Sequence, residues 1–157
     1  MFRASWIWLV GAGHRRCTGS ACAVVGQGTV ASCEFWICGP PDPVIIDRTG
    51  YQLVLSNLLS NAIKYTERGD VQVTLDHGDS GPSLHVADTG IGIPESDLSK
   101  LFGEFFRAEN ARKSNIQGTG VGLAAIKELV ERFAGSMEVD SREGAGSTFT
   151  VRWPTAG

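Results

Sequence analysis

The chain has 157 residues, of which 42% are hydrophobic and 20% charged, so it is long enough to form one domain with a buried core. Its formal net charge is −3, and the chain has no basic stripe that would argue for nucleic acid or an anionic membrane surface as a partner. An anionic ligand would therefore have to be held by local geometry rather than by overall charge.

Residues 1–43 differ from the rest of the chain and contain all four cysteines, spaced C-x4-C-x10-C-x4-C. A zinc site is one interpretation, but unpaired thiols fit these spacings better. This segment has neither helical nor alternating periodicity, so we assign it no secondary structure. We expect a leader at 1–43, which could be disordered, followed by a domain at 44–157. The domain has no cysteine, as expected in the reducing cytoplasm, and no stretch of the chain predicts a transmembrane helix.

The domain begins with a short apolar strand at 44–46, and a helix then runs to about Tyr65, capped by Asp47 or Thr49. In this helix Asn57, Asn61 and Lys64 are spaced i, i+4 and i+7, which places two amides and one ammonium on one face. The core side is formed by Val54, Leu58, Leu59, Ala62 and Ile63. Amide oxygens suit a hydrated divalent cation and lysine suits phosphate, so the face predicts a site for a metal-bound polyphosphate. A solvated helix face is the alternative.

Two strands follow, at 71–75 and 83–88, and their short connection makes them an antiparallel pair. We expect His85, in the second strand, to face solvent. Asp88 ends that strand, and Gly90 and Gly92 after it would allow the backbone to approach a ligand closely. A carboxylate in an apolar pocket can accept a hydrogen bond from the exocyclic amine of adenine. The alternative is an ordinary turn at the end of a strand.

A short helix at 95–102 leads to aromatic residues and then to the polar stretch 108–117, which together predict a mobile cover over the site. The glycines of the next stretch, Gly118, Gly120 and Gly122, open a helix whose free backbone N–H groups can bind an anion. Strands at 136–139 and 147–153, joined by a turn at 142–146, complete the chain.

Taken together, these stretches resemble the ATP-binding catalytic domain of bacterial sensor histidine kinases, a superfamily shared with DNA gyrase. The similarity covers residues 44–153 and includes five motifs in the order typical of that family. They are LSNLLSNAIKYT (N box), DTGIGIP (G1 box), LFGEFFRA (F box), GTGVGLAA (G2 box) and GAGSTF (G3 box). The resemblance implies an α+β fold, a two-layer α/β sandwich of the Bergerat type in which helices cover one face of a mixed sheet.

The same resemblance implies ATP and Mg²⁺ as cofactors, Asn61 as the metal ligand, and Asn57, Lys64 and Arg107 as residues acting on the phosphates. Asp88 would read the adenine base, and Thr148 would lie beside it. The remaining nucleotide contacts that it implies are Tyr65, Gly90, Gly92, Ile93, Phe102, Gly118, Thr119, Gly120, Val121, Gly122 and Leu123.

In that family, the γ-phosphoryl group passes to a histidine on a separate helical domain and then to a response regulator receiver domain. His14 is followed by Arg15 and Arg16 rather than by an acidic residue, so no phosphoacceptor is recognised in this chain. The sequence therefore predicts a histidine kinase catalytic domain that acts on a histidine in trans or upstream. Two alternatives are a regulatory module that binds ATP without transfer and a serine kinase or ATPase of the same superfamily.

Overall fold

The computed structural model describes residues 17–26, 29–38, 48–78, 81–113, 116 and 118–154. Within these residues the chain forms six strands and four helices. In chain order they are β1 (Cys17–Gly26), β2 (Thr29–Cys38), α1 (Arg48–Tyr65), β3 (Arg68–Gly78), β4 (Gly81–Asp88), α2 (Glu95–Leu98), α3 (Glu109–Lys113), α4 (Gly122–Arg132), β5 (Ser136–Arg142) and β6 (Gly146–Arg152).

The strands form one sheet in the order β1-β2-β3-β4-β6-β5. Strands β2 and β3 are parallel, and every other neighbouring pair is antiparallel, so the sheet is mixed. Helices α1 and α4 pack against this sheet and against each other. This arrangement confirms the predicted α+β fold with a helical layer on a mixed sheet.

The core lies between the two long helices and the sheet. Val54, Leu58 and Ala62 recur every four residues along α1, and all three are buried, as the helical period requires for one face. On the sheet, alternate residues point to the same face. Leu84 and Val86 of β4 are therefore buried beneath the helices, and the same alternation directs Asp88 toward them.

The predicted boundaries differ from the structure at two helices. Helix α2 ends at Leu98 and gives way to turns, instead of continuing to residue 102. Helix α4 begins at Gly122 rather than Gly118, because Gly120 has a positive φ of 73°, which cannot continue a right-handed helix. Thr49 lies inside α1, while Asp47 and the strand expected at 44–46 lie outside the described residues.

The segment to which we assigned no secondary structure contains β1 and β2, so that prediction was wrong. Strand β2 has many β-branched and aromatic residues, and its pairing with β3 over residues 30–38 extends the sheet. Cys17 lies opposite Cys38 and Cys22 opposite Cys33. The two pairs are five positions apart along the strands, about 17 Å of backbone, which is a larger spacing than one zinc site spans. None of the described helices is long and apolar enough to cross a membrane.

Candidate functional site

A cavity of about 330 Å³ opens between α1, the start of α4 and the segment that follows β4. This volume is within the range of small-molecule sites. Most of the predicted site residues line it, namely Asn57, Asn61, Lys64, Tyr65, Asp88, Gly92, Ile93, Arg107, Gly118, Thr119, Gly120, Gly122 and Leu123. Four predicted residues are not part of the lining: Gly90, Phe102, Val121 and Thr148.

Asp88 lies at the buried end of the cavity, where β4 ends. Its Oδ1 atom accepts a hydrogen bond of 2.8 Å from the backbone N–H of Gly90. Burial raises the pKa of the Asp88 carboxyl, while hydrogen bonds from the N–H groups of Gly90 and Ser147 and the proximity of the Thr66 hydroxyl oppose that rise. The protein backbone thus holds the carboxylate in place at a cavity whose lining is largely apolar, where it can act as an acceptor for a ligand.

The glycines after Asp88 are required mainly by neighbouring protein backbone, not by a ligand as we expected. A Cβ atom on Gly90 would lie 2.2 Å from the carbonyl oxygen of Tyr65, at the end of α1. Gly92 has a φ of 62°, and a Cβ atom there would lie 2.0 Å from the carbonyl oxygen of Arg142. Both contacts are closer than a side chain allows. These glycines therefore let the loop pack between α1 and the β5–β6 turn, and only Gly92 also lines the cavity.

Ser147, not Thr148, is the G3-box residue at the cavity. Ser147 pairs with Asp88 across β4 and β6 and is buried, whereas Thr148 pairs with Ala87. Because successive residues of a strand point to opposite faces, Thr148 lies on the face away from the helices. The prediction for Thr148 was wrong by one position, and a one-residue shift along a strand reverses the face.

The helix face predicted from the N box does line the cavity. The Asn57 side-chain nitrogen donates a hydrogen bond of 2.9 Å to the carbonyl of Leu53. The Asn57 Oδ1 atom would be 2.8 Å from a Cβ atom on Gly122, so the absence of a side chain there allows α1 and the start of α4 to approach. Asn61, one turn further along, also lines the cavity.

Two cations converge on the same cavity. Burial is the larger cause of a lowered Lys64 pKa, and repulsion by the Arg107 guanidinium is the second. The Lys64 ammonium also lies 5.2 Å from the centroid of the Tyr65 ring. Among the described residues of the lining, Asp88 is the only carboxylate. An anion would relieve the repulsion between Lys64 and Arg107, so this end of the cavity is suited to phosphate.

The loop before α4 lies against the segment that carries Arg107. A Cβ atom on Gly120 would lie 2.7 Å from the carbonyl oxygen of Phe106, and one on Gly118 would lie 2.6 Å from the Lys64 ammonium nitrogen. Arg107 donates a side-chain hydrogen bond to the carbonyl of Ile116. Gly118 and Thr119 are exposed, so the loop borders the open side of the cavity.

Phe102 and Val121 lie outside the cavity. The ammonium of Lys127, in α4, lies 4.9 Å from the centroid of the Phe102 ring, so this ring packs beside α4. Val121 is 37% exposed at the start of α4. Of the aromatic residues expected in the cover, Phe106 lines the cavity in place of Phe102, whereas Phe105 is 74% exposed.

Sequence reasoning also missed Asn110, which fixes α3 to the loop after β4. The Asn110 side-chain nitrogen donates a hydrogen bond of 2.9 Å to the carbonyl of Gly92. An asparagine within a polar stretch carries no periodic signal, so the sequence offered no reason to choose it. The other lining residues that were not predicted are Ala62, Ile91, Leu101, Phe106, Ala108, Ala111, Ser147 and Phe149, which are mostly apolar.

Comparison with known proteins decides the family. A sequence model described as "Histidine kinase-, DNA gyrase B-, and HSP90-like ATPase" matches residues 46–157. The chain belongs to this family. The domain is the ATP-binding catalytic domain of a two-component histidine kinase, and it includes the whole of the cavity described above.

Individual relatives agree with this assignment. The chain is 42% identical over 120 residues to "Sensor histidine kinase RcsC" of Escherichia coli (strain K12), covering 75% of this chain but only 13% of the relative. Its structure is similar to that of "Mycobacterial sensor histidine kinase MprB", with a TM-score of 0.68 and 32% identity over 78% of this chain and 84% of the other. Full-length ShkA in complex with AMPPNP gives a TM-score of 0.65 and 28% identity, over 78% of this chain and 26% of the other.

The residues present suit ATP and its metal. Asp88 provides a buried acceptor at one end of the cavity, and Lys64 and Arg107 provide positive charge further out. The described residues contain no group of three or more His, Cys, Asp or Glu side chains that could hold a metal by themselves. Asn61 provides an amide oxygen at the same wall, so a Mg²⁺ ion there would be held by Asn61 together with phosphate oxygens and water.

Proposed function

We propose that this domain binds Mg²⁺-ATP and transfers the γ-phosphoryl group to a histidine on another domain or another chain. The convergence of the Lys64 and Arg107 cations on a cavity that also contains the buried Asp88 carboxyl is the observation that carries the proposal. This arrangement would separate base recognition at Asp88 from phosphate binding at Lys64 and Arg107. Bound Mg²⁺ would offset the charge that develops on the phosphates during transfer.

In this proposal the chain's own residues bind and orient the donor. Asp88 accepts a hydrogen bond from the exocyclic amine of adenine, while Asn61 binds the metal and Lys64 and Arg107 bind the phosphates. Asn57 has an amide whose nitrogen is bonded to the carbonyl of Leu53, so it has no basic group to activate water. We therefore expect slow hydrolysis, which favours a kinase over an ATPase.

The described histidines do not provide an acceptor. His85 lies in β4, where its ring bonds Ser83 and Thr150, and His77 lies in β3. A phosphoacceptor imidazole must reach the γ-phosphate, which is easiest from a helix that docks beside the site. His14 lies outside the described residues. We infer that the acceptor histidine belongs to a helical dimerisation domain, that the final acceptor is a response regulator receiver domain, and that the reaction takes place in the cytoplasm.

Phosphotransfer to a separate helical partner tests this function. The chain is incubated with Mg²⁺ and ATP labelled at the γ-phosphate, alone and with a purified helical hairpin that carries the phosphoacceptor histidine of a related sensor kinase. We expect no label on the chain and acid-labile label on the hairpin, and a hairpin with His→Ala at the acceptor is the control. Nucleotide binding without label on any of a panel of hairpins would support a regulatory module instead, and fast phosphate release would support an ATPase.

A further inference from the structure

Thr66 follows directly after α1 and is not among the predicted site residues. Its side chain is fully buried. The backbone N–H of Thr66 bonds the carbonyl of Ile63 at 3.4 Å, which closes the last turn of the helix. The Thr66 hydroxyl, by contrast, has no hydrogen-bond partner among the described residues. A buried hydroxyl without a partner is costly, and valine would fill the same volume without that cost.

The Thr66 hydroxyl lies beside the loop that follows Asp88. It lies 2.8 Å from the position that a Cβ atom on Gly90 would occupy. Gly90 is the residue whose N–H holds Oδ1 of Asp88. Thr66 is also close enough to Asp88 for its hydroxyl to oppose the rise that burial causes in the pKa of that carboxyl. Thr66 thus lies near Asp88 just after the end of α1, while Ser147 pairs with Asp88 from β6.

We propose that Thr66 is a positioning residue for nucleotide recognition, whose buried hydroxyl holds the Asp88 carboxylate in the orientation that accepts a hydrogen bond from the base. This inference rests on the proposed binding of ATP. The hydroxyl adds a donor from α1 to the two backbone donors of Gly90 and Ser147. Asp88 is then kept ionised in an apolar surrounding that would otherwise favour its neutral form.

Two substitutions separate the hydroxyl from the packing of the side chain. Thr66→Val keeps the branched shape and removes the hydroxyl, whereas Thr66→Ser keeps the hydroxyl and removes a methyl group. We expect calorimetry at pH 7.5 to show adenosine and Mg²⁺-ATP binding about 5-fold or more weakly to Thr66→Val, and within about twofold of the unsubstituted chain to Thr66→Ser. Thermal unfolding of both variants shows whether the fold is kept.

The pH dependence of adenosine affinity provides a measurement that packing alone would not change. Without the Thr66 donor, the pKa of Asp88 rises further, so affinity should begin to fall at a higher pH in Thr66→Val than in Thr66→Ser. The other titratable groups along the cavity are Lys64 and Tyr65 from α1 and Arg107 from the segment before α3. Both variants retain all three, so a difference between their profiles reports on Asp88.

The outcomes distinguish this inference from the proposed function. If the unsubstituted chain binds Mg²⁺-ATP and Thr66→Val matches it in affinity and pH profile, the inference about Thr66 is wrong and the proposed function stands. If both variants lose affinity equally with parallel profiles, Thr66 serves packing only, which also overturns the inference. If the unsubstituted chain binds neither adenosine nor Mg²⁺-ATP, the proposed function fails and the inference fails with it.

Discussion

The two ends of the cavity are built differently. At the base end, Asp88 is fixed by the pairing of β4 with β6 and by the N–H of Gly90, and the carboxyl is buried. At the phosphate end, the groups come from one helix face and from loops. Gly118 and Thr119 are exposed there, and Arg107 is bonded to the carbonyl of Ile116.

In the proposed function, the sheet would determine which base is accepted, while the helix and loops would adapt to the phosphates. Strand pairing leaves little freedom at Asp88, so its acceptor is in place before a ligand arrives. Lys64 and Arg107 repel each other, and only an anion makes their proximity favourable. We therefore expect substitutions at the base end to affect all adenine ligands, and those at the phosphate end to affect only ligands that carry phosphate.

The largest effect is expected at the base end, from Asp88→Asn. Because Oδ1 accepts the Gly90 N–H, an asparagine would keep its oxygen there and present its NH₂ group to the exocyclic amine of adenine, so two donors would face each other. An unpaired buried polar group costs about 1–3 kcal/mol, which corresponds to a loss of about 5- to 150-fold in affinity for both adenosine and Mg²⁺-ATP.

Calorimetry with both ligands checks this prediction. Asp140→Asn, in the exposed part of β5, removes the same charge away from the cavity and should bind like the unsubstituted chain. Unchanged adenosine affinity in Asp88→Asn would show that the base does not bind at this end.

A smaller and more selective effect is expected at the phosphate end, from Asn61→Ala. Loss of the amide oxygen should weaken Mg²⁺-ATP binding about 10-fold and leave adenosine binding nearly unchanged, because adenosine has no phosphate to carry the metal. Ser60→Ala, an exposed neighbour on α1, is the matched control. Equal losses for the two ligands would mean that Asn61 supports the helix rather than the metal, and the contrast between the two ends would disappear.

The smallest effect concerns the sheet face away from both ends. His85 lies half-buried there, bonded to Ser83 at 3.0 Å and Thr150 at 3.1 Å, rather than facing solvent freely as we expected. Burial is the first cause of a lowered His85 pKa, with repulsion by Arg152 second and an opposing attraction by Asp76 third. The folded state therefore binds this proton more weakly than the unfolded state does, and the free energy of unfolding should decline modestly as pH falls below about 6.5.

Urea unfolding between pH 5 and pH 8 measures this decline. In His85→Gln the decline should be shallower than in the unsubstituted chain, and adenosine affinity at neutral pH should be the same in both. A steeper decline in the variant would contradict the assigned sign of the shift.

The sequence predicted the chemistry of the site better than its exact positions. Periods of 3.6 and 2 residues identified α1 and the paired strands and placed Asn57, Asn61 and Lys64 on one helix face. The resemblance to histidine kinases added Asp88 to the same site, and all four residues line the cavity. Thr148 was placed wrongly because a motif gives spacing without strand register, and the register of β6 directs Ser147 to the cavity instead.

Other features depend on contacts between distant parts of the chain. Gly90 was attributed to a ligand, but the carbonyl of Tyr65 occupies the space beside it, and no local pattern shows that contact. Strand β2 was missed because its pairing with β3 joins residues about 40 positions apart in sequence, so that its strand character depends on a distant neighbour. The division between a leader at 1–43 and a domain at 44–157 stays a prediction.

The central claim is that the buried Asp88 carboxyl selects adenine before the phosphates are bound. Its most direct test is calorimetric titration of the unsubstituted chain with Mg²⁺-ATP and with Mg²⁺-GTP, which share their phosphates and differ in the edge of the base. A site that hydrogen-bonds the exocyclic amine of adenine leaves its acceptor facing the O6 oxygen of guanine, so we predict that Mg²⁺-ATP binds about tenfold or more tightly. Equal affinity for the two nucleotides would contradict the account, because the phosphate end would then be the whole source of binding.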